Sequence, residues 1–86
     1  MTLKEFNKYA VEIASEYGIK ESNVTVLAGI FNGWNSHYTI QAWDVKSSKL
    51  ITSRQPNPSS SISEFSNKIK EHFREYSQEQ EDIDII

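Results

Sequence analysis

His37 and His72 are the only histidines in this chain, and cysteine is absent. Imidazole titrates near neutrality and is the commonest metal ligand, so acid–base or metal chemistry would have to start from these two. Neither belongs to an HxH or HExxH pair, and no thiolate is available to complete a zinc set. Serines are abundant, but no GxSxG elbow stands ready to activate one. Nor does a glycine-rich loop offer to cradle a phosphate, with only three glycines in the chain. The expectation is therefore no metal, no cofactor and no enzymatic activity. His72 falls beside an apolar stripe, where a partly buried structural histidine is a simpler reading than a general base.

The second concentration of chemistry is "FNGWNSHYTIQAWD", which holds Phe31, Trp34, Tyr38 and Trp43 together with His37. Such rings could grip a partner, or they could be the middle of a small core. Which of the two they are depends on the elements that carry them.

Residues 2–17 read as an amphipathic helix, with Leu3, Phe6, Ala10, Ile13, Ala14 and Tyr17 at three- and four-residue spacing. Thr2 and Glu5 have capping-box spacing, and Gly18-Ile19 suits a left-handed C-terminal cap with its apolar contact. A second helix is expected over about 62–77, with Ser61 and Glu64 as a capping box and Ile62, Phe65, Ile69, Phe73 and Tyr76 as its stripe. "RQPNPSSS" before it reads as a loop, because proline cannot donate a ladder hydrogen bond and biases its predecessor away from helix.

Three strands are expected near 23–31, 37–45 and 49–54, joined by "NGWN" and "KSSK". Connections this short force an antiparallel meander. The fold class is thus α+β, of order α-β-β-β-α, with both helices packed on one face of a three-stranded sheet. Residues 1–76 form one domain, and 77–86 form an acidic tail that loses periodicity and reads as disordered.

Asn32-Gly33 would ordinarily mark a two-residue turn. That turn would set the apolar even positions of the first strand beside odd, polar positions of the second, and a one-residue slip flips every side chain. Hydrophobic matching asks instead for a loop of three or five residues. With five, Ile30 meets Tyr38, Ala28 meets Ile40 and Val26 meets Ala42. Val24, Val26, Ala28, Ile30, Tyr38, Ile40 and Ala42 then lie under the helices. The opposite, open face carries Leu27, Phe31, His37 and Trp43, with Trp34 in the adjoining turn. A contiguous apolar patch on a solvated face marks an interface. These five residues are the candidate protein-binding site, for an unknown protein or a second copy in a homodimer.

The net charge of −3 is unevenly placed, since the tail carries Glu79, Glu81, Asp82 and Asp84 and no base. Lys46, Lys49, Arg54, Lys68 and Lys70 give the body a mildly basic side, short of the basic stripe of a committed nucleic-acid binder. The α-β-β-β-α order, with Gly33 and His37 around the first hairpin, is similar to that of double-stranded-RNA-binding domains. That resemblance implies duplex RNA as an alternative partner of those five basic residues. The family's lysine cluster at the start of the last helix has no counterpart, for that position reads "SSSISEF", and nucleic acid is not the favoured partner. "EDIDII", with Ile83, Ile85 and Ile86, is similar to short SUMO-interacting motifs, against which a solvated acidic tail is the favoured reading. No apolar run approaches the roughly 20 residues of a membrane span, and no leader segment is evident, so a cytoplasmic location is expected.

Overall fold

The computed structural model describes the backbone of residues 1–31 and 35–85 and the side chains of residues 1–29 and 37–74. Helix α1 (Leu3–Glu16) is followed by a 3₁₀ turn, strands β1 (Val24–Phe31), β2 (Asn35–Asp44) and β3 (Lys49–Gln55), and helix α2 (Pro58–Ile85). The strands form one antiparallel sheet in the order β1-β2-β3. The α-β-β-β-α architecture is the expected one, with both helices on the same face of the sheet.

Both ends of α1 are built as the sequence indicates. Thr2 Oγ1 accepts from the Glu5 N–H at 3.1 Å while Glu5 reaches back to the Thr2 N–H. At the other end the Gly18 N–H bonds the Ser15 carbonyl and the Ile19 N–H bonds the Ala14 carbonyl. Gly18 takes φ +82°, a left-handed conformation that glycine adopts without a Cβ clash. Ile19 and Ala14, the two apolar partners of this cap, are both buried.

The start of α2 differs from the expected one. Asn57 is the cap, its Oδ1 accepting from the Ser60 N–H at 2.8 Å and its carbonyl accepting the first helical bond from Ser61. Pro58 then occupies the first helical position, where a missing N–H costs nothing, and the bias toward extended backbone that a proline puts on the residue before it is what an N-cap needs. Ser61, expected as the cap, lies inside the helix and is fully buried, and Glu64 turns to the sheet. At its other end α2 runs through residues 77–85 and does not stop near 77. Loss of apolar periodicity removes a packing face, but glutamate and glutamine favour helix, and neither glycine nor proline follows to end it.

Phe31 pairs with Asn35, Ala28 with Tyr38, Val26 with Ile40 and Val24 with Ala42. This is the three-residue alternative; the pairing of Ile30 with Tyr38 and of Ala28 with Ile40 is off by two residues. The "NGW" segment, including Trp34, lies outside the described residues. Both odd loop lengths keep the same faces together, so Val24, Val26, Tyr38, Ile40 and Ala42 lie on the helix-covered side as expected, while the side chain of Ile30 lies outside the described residues. Ile40 and Ala42 from β2 and Ile51 from β3 meet Phe6, Ala10 and Ala14 of α1 and Phe65 and Ile69 of α2. Val24, Val26 and Tyr38 pack partly against this core, the Tyr38 ring meeting Phe6 edge-on at 5.6 Å. Ala28 and Leu3, both expected inside, are exposed.

Asn57→Ala is expected to lower stability by about 1 kcal/mol, the usual value of an N-cap. Urea unfolding checks this. A loss at Ser61→Ala that matched a cap, with none at Asn57→Ala, would return the helix start to Ser61.

Candidate functional site

Alternation along the paired strands lays out the open face in rows. Trp43 stands beside Leu50, Thr25 beside Gln41 and Thr52, Leu27 beside Thr39 and Arg54, and Gly29 beside His37. Leu27 is 55% exposed and Trp43 41%. The polar row of Thr25, Gln41 and Thr52 separates them. Four residues along β2 divide the row of Trp43 from that of Leu27, a distance of roughly 14 Å at 3.4 Å per residue. The five-residue register would have brought them one row closer. The expected contiguous patch is therefore split into two exposed apolar points among the described residues. Phe31 lies in β1 opposite Asn35, but its side chain and Trp34 lie outside the described residues.

Each point sits beside a depression. Leu27, Ala28, Gly29, His37, Thr39 and Arg54 line a shallow groove of about 220 Å³. Gly29 contributes to it by having no side chain, with nothing among the described residues within 4 Å of where a Cβ would stand. At the other end Trp43, Val45 and Lys46 face Tyr17, Lys20 and Phe73 across a cleft of about 480 Å³. Its helix-side wall is the Tyr17–Phe73 pair, stacked at 5.2 Å, and its rim carries the two lysines. Val45 and Leu50, both exposed, extend the apolar surface around Trp43.

Asp44, which lines this cleft, belongs to a cluster that the sequence reading missed. His72 Nε2 donates to Asp44 Oδ2 at 2.9 Å, Ser47 Oγ donates to the same oxygen at 2.7 Å, and Ser47 Oγ lies 3.2 Å from His72 Nε2. These are the residue types of a nucleophilic triad, but the geometry is different. A triad places the carboxylate on one ring nitrogen and the hydroxyl on the other, so that the imidazole can take the hydroxyl proton. Here both meet Nε2, and the hydroxyl already donates to the carboxylate. The cluster is a clasp that ties the β2–β3 turn to α2. Only its local part is of a kind that sequence can signal: Asp44 accepts from the Lys46 N–H two residues on at 3.2 Å, an Asx turn, whereas His72 joins through tertiary contact.

Burial is the largest influence on the Asp44 carboxyl and pushes its pKa up. Hydrogen bonds from His72, from Ser47 and from the Lys46 N–H together outweigh it, and the carboxyl is held below the ordinary 3.8. Glu64 is lowered as well, first by the amide of Gln55, against the effect of burial, and further by Lys68 and the Arg54 N–H.

The basic residues do not converge. Lys46 and Lys49 lie at the β2–β3 turn, whereas Arg54 belongs to the row of Leu27 near the far end of β3. Lys68 is engaged by Glu64 at 3.2 Å and by the Thr52 carbonyl at 2.9 Å. Lys70 is exposed on α2. Among the described residues no three of His, Asp and Glu come together as a metal would need, and no helix is long and apolar enough to cross a membrane.

Fold and surface together define an α+β domain with one helix-covered and one open sheet face. No family model, no curated protein and no solved structure matches the chain.

Asp44→Ala is expected to lower stability at pH 7 by about 1.5–3 kcal/mol, as for a hydrogen bond to a charged group. The folded pKa lies below the unfolded one, so the unfolded state binds more protons in between and this stabilisation is lost as pH falls through the folded value. Urea unfolding of both proteins at stepped pH should show the difference constant above 3.8 and shrinking below it. A difference unchanged down to the acid transition would mean that the carboxylate charge contributes nothing.

Proposed function

We propose that this chain is a small non-enzymatic binding module that engages a protein through the open sheet face. The observation that carries this reading is Trp43, 41% exposed on that face, beside exposed Leu50 and at the mouth of the aromatic-walled cleft. A large ring at the edge of a preformed depression is the arrangement in which a few aromatic side chains supply most of a contact's energy. Lys20 and Lys46 on the rim favour a partner segment that brings an apolar anchor flanked by acids. Leu27 and the groove beside His37 provide a second point of contact, set apart by the polar row. The partner is either another protein or a second copy. The closed Asp44–Ser47–His72 clasp supports a binding role over a catalytic one, since its hydroxyl is not presented to a substrate.

The test uses the full chain, Trp43→Ala and Leu27→Ala as baits, followed by titration of whatever protein the wild type retains. Trp43→Ala is expected to weaken binding by about 30-fold or more, the effect of a hot-spot residue, and Leu27→Ala by less. A partner held equally well by wild type and Trp43→Ala would reject this surface.

A further inference from the structure

The two edges of the sheet are treated differently. On β3, Glu64 Oε1 accepts from the Arg54 N–H and Lys68 Nζ donates to the Thr52 carbonyl, so α2 covers the outward backbone of that edge. These contacts also show which residues point outward. If even residues of β3 face out, odd ones bond to β2, and alternation then leaves the even residues of β1 facing the opposite edge. Val24 agrees with this, its N–H being taken by the Glu21 carbonyl and not by β2. The N–H and C=O of Val26 and Ala28 come next. Among the described residues, no helix side chain covers them as Glu64 and Lys68 cover β3.

Natural sheets blunt such edges with charge, proline, bulges or short strands. Strand β1, "VTVLAGIF", is eight residues long and contains neither charge nor proline.

We infer that β1 pairs antiparallel with β1 of a second copy, about a twofold axis through Leu27, to give one continuous six-stranded sheet. The register follows from the backbone. Outward-facing residues must meet outward-facing residues, so Val26 exchanges both hydrogen bonds with Ala28 of the second copy. Leu27 then stands opposite Leu27 of the second copy in the closer, non-hydrogen-bonded type of pair. The 55% exposed leucine thereby acquires an apolar neighbour on the open face. An uncharged strand facing itself brings no like charges together, and an antiparallel twofold contact closes on itself without growing into a filament. A foreign strand offers no such assurance of what would lie opposite Leu27. This contact uses the edge of the sheet and leaves the cleft at Trp43 available, so it goes beyond the binding role proposed above.

The experiment is analytical ultracentrifugation of the full chain over a concentration series, with amide hydrogen exchange on the same samples. The mass is expected to rise from 9.9 kDa toward twice that value, with protection at the Val26 and Ala28 amides rising in step. Ala28→Pro removes an N–H that the β1–β2 ladder does not use, a change tolerated on an edge strand, and should return the mass to that of the monomer with an unchanged circular dichroism spectrum. Should that variant fail to fold, the exchange data on the wild type decide alone. A chain monomeric at every concentration, a dimer that persists in folded Ala28→Pro, or a dimer whose Val26 and Ala28 amides exchange freely would each overturn the proposal. Protection that arises only on adding a foreign strand would overturn self-pairing as well.

Discussion

Phe31 stands opposite Asn35, and that pairing assigns a side to every residue of the sheet. Because side chains alternate, a slip of one residue would lift Ile40 and Ala42 out of the core and place Thr39 and Gln41 beneath the helices. Both Ile40 and Ala42 are fully buried, in contact with the cluster built by Phe6, Phe65 and Ile69. In a domain of this size nearly all the apolar burial belongs to one such cluster, so register and stability are the same constraint. The alanines add to it: Ala10 and Ala14 on α1 and Ala42 on β2 leave room for the larger rings.

Helix α2 carries two separate loads on neighbouring faces. Phe65 and Ile69, four residues apart, enter the core, while Glu64 and Lys68, each one residue earlier, are turned toward the rim of β3. Their mutual ion pair is of the exposed helical type and contributes little by itself. Its larger effect is to occupy backbone groups that would otherwise be open to another chain. Gln55, whose amide also bonds Glu64, extends the cover toward the end of the strand.

The sequence makes the element order, both caps of α1 and the two-sidedness of the sheet legible, because each is signed by local chemistry: Thr2 with Glu5, Gly18 with Ile19, alternation in "VTVLAGI". The loop length was legible only as odd. Three and five residues differ by two, which preserves every face, so hydrophobic matching cannot choose between them. That shift of two decides the distance from Leu27 to Trp43, and hence whether the apolar points join. "NPSSSISE" offers two capping patterns four residues apart, at Asn57 and at Ser61, and Pro58 at the first helical position together with the burial of Ser61 against Ser53 selects the first. Asp44, Ser47 and His72 became a cluster through tertiary contact, which no spacing records.

The polar contacts of α2 differ in how much chain they enclose. Ser53 Oγ bonds the Ser61 carbonyl at 2.7 Å across a separation of eight residues, whereas Asp44 meets His72 across twenty-eight. Closing the longer loop costs roughly 1 kcal/mol more in chain entropy, by the logarithmic dependence on loop length. The Ser53–Ser61 contact is therefore the one that chain entropy opposes least, and it ties the beginning of α2 to β3. The His72 clasp encloses the β2–β3 turn and the whole of β3, and so carries the larger entropic cost. The contacts that hold the last helix thus form a gradient of loop lengths, from Ser61 outward through Glu64 and Lys68 to His72.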